Sequence, residues 1–349
     1  MHATTVAIDL AKVIFELAFA DADHRIVQRK RLSRAALRRE LENRPPLRVV
    51  MEACGSAHHW ARRWVRQGHA VRLLPPRDVR PYVRRNKTDR TDAAGLLEAD
   101  RCAQIDAVPI KSPEQQGVQA LHRIREQWKA QRTATINLMR GVLREFGIVI
   151  PLGAAQVRPA VLAALEDGDN ELPMALRHTL GEMLDRLAEL ARAMTAIEQQ
   201  LEAYADDDPV CQRYQQAPGI GVLTATALRA STGPLDRFRS GRHFSAWLGL
   251  APREHSSGNQ RHLGRISKRG DGYLRMLLIH GARATLRAAR VRDQRQQPLS
   301  RLQTWALTLQ QRVGHNKAAV ALANKVARRL WAMEHHHTAF NADHISVRA

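Results

Sequence analysis

Residues 4–75 switch between two hydrophobic periods in a set order, and that order constrains the fold more than any other feature. TTVAIDL (4–10) puts Val6, Ile8 and Leu10 on one face and Ala7 and Asp9 on the other, the period-two pattern of a half-buried strand. VIFELAFA (13–20) and HRIVQRKRL (24–32) read as two further strands around a turn at Asp21, Ala22 and Asp23. Ser33 is placed to cap a helix, SRAALRRELEN. LRVVMEA (47–53) is a fourth strand, AHHWARRWVRQG (57–68) a helix stopped by Gly68, and AVRLLP (70–75) a fifth strand. Three strands, helix, strand, helix, strand predicts an α/β domain on a mixed sheet.

The period changes after Ser112. Residues 113–147 predict one long helix with a basic face that includes His122, Arg123, Arg125, Lys129, Arg132, Arg140 and Arg144. Residues 180–204 carry Met183, Leu187, Leu190, Met194, Ile197, Leu201 and Tyr204 in alternating steps of four and three, a heptad seam. Such a seam serves either packing inside the chain or pairing with a second copy. AYADDDPV (203–210) reads as an acidic linker, 211–334 as mostly helical, and HHHTAFNADHISVRA as a loose tail. The expected domains are therefore 1–111, a helical region 112–205, a C-terminal domain 206–334 and a tail 335–349.

Lys and Arg number 55 against 34 Asp and Glu, a formal charge of +21. Forty-seven of the 55 are Arg, the residue that grips phosphate in a bidentate fork. This surplus favours a polyanionic partner, because each neutralised phosphate releases counterions. Three widely separated cysteines form no CxxC pair and no disulfide framework, which points to a reducing cytoplasm. MHATTVAIDLAK reaches Asp9 before any long apolar run, so no leader is expected, and no stretch approaches the roughly 20 apolar residues of a membrane span.

Four carboxylates carry the chemistry. Asp9 lies mid-strand among apolar neighbours, and Glu52 ends the fourth strand before a Gly-bearing turn, where open α/β sheets gather ligands. Asp89 and Asp92 in NKTDRTDAAGLLEA share one face of a helix start. Capping accounts for one Asp there and leaves the second surplus. Clustered carboxylates repel unless a divalent cation joins them, and hard oxygen donors suit Mg²⁺ or Mn²⁺. Two such ions stabilise the attacking and leaving oxygens of phosphodiester displacement. Arg84, Arg85 and Lys87 immediately upstream are placed to hold a substrate backbone.

Further along, PGIG (218–221) reads as a Gly turn opening a helix, either an ordinary connection or a phosphate clamp through the amides of Gly219 and Gly221. PREHSSGNQRHLGRISKRGDG (252–272) is polar, Gly-rich and basic, a surface loop whose Arg253, Arg265, Lys268 and Arg269 suit phosphate, with Arg275 in the next helix.

In this order AIDLAK, MEACGS and NKTDRTDA resemble the DEDD transposases of bacterial insertion sequences (family one-ten, eleven-eleven-like branch), relatives of the Piv-type invertases and the bridge-RNA-guided recombinases. WLGLAPR, SSG and SKRG resemble the C-terminal domain of the same family. The resemblance implies a RuvC-like, ribonuclease-H-type catalytic domain followed by a long helical segment and a mostly α transposase domain with a helix-hairpin-helix-like turn. It implies that Asp9, Glu52, Asp89 and Asp92 bind Mg²⁺ and that Ser257 attacks DNA to form a phosphoserine link. The sequence alone leaves Ser256 as a second candidate. DNA partners (donor ends and target), an element-encoded guide RNA, and a dimer or tetramer sharing a composite site also follow from the resemblance. Cys54 departs from the hydroxyl or small residue common at its position. The rival readings are a junction-resolving, metal-dependent endonuclease that uses water, a non-catalytic nucleic-acid binder, and an actin-like kinase, which would need glycine-rich phosphate loops that this chain lacks.

Overall fold

In this computed structural model, residues 2–42, 44–83 and 88–344 are described. They divide into two compact units, with the boundary between Glu114 and Gln115. No helix among the described residues is long and apolar enough to cross a membrane.

The first unit is a five-stranded sheet in the order β3-β2-β1-β4-β5. Its strands are β1 (Thr5–Asp9), β2 (Ile14–Ala20), β3 (Ile26–Ser33), β4 (Arg48–Glu52) and β5 (Ala70–Leu74). β1, β2 and β3 pair antiparallel, whereas β1–β4 and β4–β5 are parallel, which gives the expected mixed sheet. Helices α1 (Arg34–Glu40) and α2 (Ala57–Arg66) connect the strands, followed by a single turn, α3 (Pro76–Val79), and α4 (Asp89–Asp100). Ser33 caps α1 by accepting from the Ala36 amide, and Gly68, at φ +89°, ends α2.

Alternation sorts the strand side chains between two layers. Val6, Ile8, Phe15, Leu17, Phe19, Val49 and Met51 face Leu37, Leu41, Trp60 and Trp64 of α1, α2 and their flanks. Burying each of these large side chains contributes about 1.5–3 kcal/mol. The other face carries Ala7, Ala18, Ala20 and Val50, small enough for α4 to lie close through Ala93, Leu96 and Leu97.

The second unit is helical. α5 (Pro113–Glu145) begins at the end of the first unit and runs back against α7 (Met174–Asp207), with α6 (Val157–Glu166) between them. Val118 near one end of α5 packs with Ile197 and Leu201 of α7, while Ile136, Met139 and Leu143 near the other end pack with Leu180 and Leu184. The two helices are therefore antiparallel, and Arg125 pairs with Glu198 across them at 2.6 Å. Leu190, Met194, Ile197 and Leu201 of the heptad seam are buried within this chain.

The expected linker at 203–210 is instead nearly continuous helix. α7 runs to Asp207, and Asp208 caps α8 (Pro209–Gln215) by accepting from the Val210 and Cys211 amides. α9 (Val222–Thr232), α10 (Gly241–Trp247), α11 (Gly272–Gln294), α12 (Arg301–Val313) and α13 (His315–His335) complete the unit around Phe244, Leu274, Leu322 and Leu330. The stretch read as a surface loop is a hairpin, β6 (Pro252–Glu254) with β7 (Leu263–Ile266). The described part of the tail folds back onto this unit: Phe340 joins the core edge, and Arg301 donates its amide to Asp343 Oδ1 at 2.8 Å. These contacts are irregular, so no periodicity announces them.

Candidate active site

Ile8 of β1 sits opposite Met51 of β4, so Asp9 and Glu52 are the next residues on neighbouring parallel strands, which run about 4.8 Å apart. Both are half-buried at the carboxyl ends of their strands, on the same face as Ala7 and Val50. Across the antiparallel pairing, Asp9 is also in register with Glu16 of β2, and Glu16 with Arg31 of β3. Glu16 was not singled out from the sequence. A β1–β2 hairpin around residues 10–13 narrows the partner of Asp9 to a few positions, but the register settles which one.

α4 brings the remaining acids to this face. Its cap is Thr88, which accepts from the Thr91 amide at 3.3 Å while Thr91 Oγ1 accepts from the Thr88 amide at 2.8 Å. Neither Asp89 nor Asp92 is therefore needed for capping. At the other end, the Asp100 carboxylate is 1% exposed and receives Arg48 Nε and Arg72 Nη1, both at 2.7 Å. Arg48 opens β4, so the carboxyl end of α4 lies over the start of that strand and the helix runs back toward the strand ends. Asp92 lies eight residues from Asp100, about 12 Å of helix. Glu52 lies four residues beyond Arg48, about 13 Å of strand. The first turn of α4 is thus directed to the end of the sheet that carries Asp9 and Glu52. Asp92 is half-buried and Asp89 exposed.

The donors are hard oxygens, which fit Mg²⁺ or Mn²⁺. The backbone carries Asp9, Glu52 and the Asp89–Asp92 turn to one end of one sheet face. Among the described residues, however, no set of three or more His, Cys, Asp or Glu side chains has the arrangement to hold an ion as it stands.

Ser256 and Ser257 lie on the exposed β6–β7 hairpin of the second unit. Ser257 and Gln260 close its tip around Gly258, at φ +56°, and Asn259. A left-handed glycine at the first central position is the type II′ pattern that matches strand twist. The two serines differ in their bonds. Ser256 Oγ donates to Glu254 Oε1 at 2.8 Å and accepts from the His262 amide at 3.2 Å, so it knits the two strands together. Arg261 donates to the same Glu254 oxygen at 3.1 Å, and the bond from Ser256, aided by that from Arg261, holds the carboxyl below its usual range. Ser257 Oγ has no partner among the described residues.

The hairpin grows from a tight base. Cβ atoms built at Gly249 and Gly270 would lie 2.0 Å from the Arg269 carbonyl oxygen and 1.9 Å from that of Trp247. WLGL and SKRG are therefore two backbone segments in direct contact, which only glycine permits. Arg275 staples them, donating Nη1 to the carbonyls of Leu248 at 3.1 Å and Arg269 at 3.3 Å. Lys268 sits in the left-handed region at φ +53°, and Arg253 and Arg265 are exposed along the hairpin. Arg84, Arg85 and Lys87 lie outside the described residues.

The PGIG turn also has a packing role. Gly219, at φ +81°, meets Gly281 of α11 so closely that a Cβ on Gly219 would lie 2.4 Å from the Gly281 oxygen. Gly221 is the exposed N-cap of α9. His122 does not belong to a basic face. It is buried, with its ring nitrogens 2.9 Å from Tyr273 Oη and Thr226 Oγ1, and burial lowers its pKa to about 4. The helical period that put it among the arginines could not show that this edge of α5 packs against α9 and α11.

A family model described as a transposase, of the DEDD IS110 type, matches residues 6–148, and the IS116/IS110/IS902 transposase family model matches residues 211–297. A "probable family 20 transposase" of Pseudomonas aeruginosa is 44% identical, covering 95% of this chain and 97% of its own. The transposase of insertion sequence element IS1111A from Coxiella burnetii is 39% identical over 94% of this chain and 88% of its own. That of IS1328 from Yersinia enterocolitica is 36% identical over 97% and 99%.

Proposed function

The chain belongs to the IS116/IS110/IS902 family of insertion-sequence transposases, and on that premise we propose that it cuts and rejoins DNA through a covalent Ser257 phosphoester, with Asp9, Glu52, Asp89 and Asp92 as its Mg²⁺-binding acids. The observation that carries the serine assignment is the contrast at the hairpin tip. Ser256 is engaged by Glu254 and His262, while the Ser257 hydroxyl is exposed beside a left-handed glycine.

The proposed step balances simply. Ser257 Oγ forms a bond to a DNA phosphorus as the bond from that phosphorus to a bridging oxygen breaks. The serine proton is lost and the departing oxygen gains one. The phosphodiester becomes a phosphoserine ester, so rejoining to a second strand needs no external energy source. A bound Mg²⁺ supplies Lewis-acid polarisation of the phosphate and stabilises charge on the entering and leaving oxygens. Asp9 and Glu52 are carried by paired strands and Asp92 by a helix fixed through Asp100, so sharing an ion calls for side-chain rotation. The charge of +21 supports DNA as the partner. The family resemblance supports a guide RNA for target choice, a dimer or tetramer as the working form, and action at the bacterial nucleoid.

The test uses DNA bearing an element end. Ser257→Ala abolishes cleavage and the Ser–DNA adduct while DNA binding persists, whereas Ser256→Ala still forms the adduct. Cleavage unchanged in Ser257→Ala would instead establish water as the nucleophile, as in a junction-resolving endonuclease.

A further inference from the structure

The second unit contains a groove of about 1810 Å³ between the β6–β7 hairpin, the start of α10, and helices α12 and α13. One wall carries Arg242, Arg265 and Lys268. The other presents a single stripe of α13, with Lys317, Lys325 and Arg328 separated by two turns and then one. No Asp or Glu lines the groove, and none of these six cations is ion-paired among the described residues. Lys325 stands 4.0 Å over the Trp305 ring, and its pKa is lowered by burial and by Arg329 and Arg328 nearby. Between the walls the floor is apolar, formed by Leu250, Ile266, Val320 and Ala321.

Uncompensated positive charge along both rims calls for a chain of anions. The apolar floor says which kind. A duplex stacks its bases inward and offers only phosphate and sugar to such a groove, whereas a single strand also offers base faces that gain by contact with apolar and aromatic surface. We propose that this groove binds a single strand of nucleic acid, its phosphates on the cationic rims and its bases against the floor beside Trp305. The inference rests on the nucleic-acid reading above and extends it. One wall of the groove is the hairpin that ends in Ser257, so the strand held here lies along the same element as the proposed nucleophile.

The test measures binding of the full-length protein to fluorescein-labelled oligo-dT, oligo-U and a DNA duplex as a function of salt. Lys317 and Arg328 are exposed, so Lys317→Gln with Arg328→Gln leaves the core intact. Loss of two phosphate contacts makes the single-strand salt slope shallower by about 1.4 and weakens binding roughly 20-fold at 0.1 M salt. Duplex affinity changes less than about threefold. Oligonucleotide also changes Trp fluorescence in the wild type, and Trp305→Phe removes that change. The tighter of oligo-dT and oligo-U identifies the strand as DNA or RNA. Single-strand binding unchanged in the double variant, or a duplex loss as large as the single-strand loss, overturns the groove assignment alone. A wild type that binds none of the three probes overturns the nucleic-acid reading with it.

Discussion

Asp100→Asn tests whether the clamp at the end of α4 supports the acidic end of the sheet. The carboxylate is 1% exposed, Arg72 is 19% exposed and Arg48 is 47% exposed. The Arg48 contact is partly screened by solvent and contributes little. The Arg72 contact is not screened in this way, and removing one partner of a buried pair costs about 3–5 kcal/mol because the other charge is left behind. Arg72 keeps its bonds to the carbonyls of Asp100 and Ile105, which places the expected loss near the lower end, about 3 kcal/mol. For a unit of this size that lowers the melting temperature by about 12 °C. Scanning calorimetry measures the shift, and hydrogen exchange in α4 assigns it to the first unit. Asp100→Leu with Arg72→Met, an apolar replacement of the pair, recovers most of the loss. Because the clamp sets where Asp92 stands, Asp100→Asn should also lose DNA cleavage beyond what unfolding accounts for. A variant that melts within about 2 °C of wild type and cleaves normally would refute the clamp.

Other outcomes follow from single residues. His122 titrates at about 4 in the fold and near 6.5 unfolded, so the unfolded chain takes up the proton first as pH falls. Its contribution is fully present above pH 6.5 and is lost toward pH 4, by about 3 kcal/mol in all, and His122→Gln removes that part of the acid-unfolding slope. Gly270→Ala drives a Cβ into the Trp247 carbonyl, so it should displace the hairpin base and abolish DNA cleavage while the first unit melts normally, as calorimetry with a cleavage assay would show. Chelation by EDTA should stop strand cleavage and leave DNA binding within a few-fold, and cleavage persisting in EDTA would exclude the metal.

The hydrophobic periods alone determined most of the elements. A period of two or 3.6 is written in neighbouring residues, and burial of one face enforces it wherever the chain folds. Thus the five strands, α1, α2 and the long helices α5 and α7 were legible, as was the placing of Glu52 at a strand end, whereas Asp9, read as mid-strand, is the last residue of β1. A charge of +21 is likewise a sum that needs no coordinates.

What the tertiary structure decided are matters of partnership. Register put Glu16 beside Asp9, and register depends on how whole strands align. A bond to Glu254 separated Ser256 from Ser257, two adjacent serines that local pattern cannot tell apart. The heptad seam fits a second copy or its own chain equally well in sequence, and it was the fold that packed Ile197 and Leu201 of that seam with Val118 of α5 and Ala230 of α9. His122 and the arginines share one helical period, yet burial against Thr226 and Tyr273 made the histidine neutral. The cationic groove joins segments more than fifty residues apart, from Arg265 to Lys317, and no local pattern records that they face one another. Short-range order follows from each segment's own chemistry, whereas pairing, burial and charge balance depend on which distant segments the fold brings into contact.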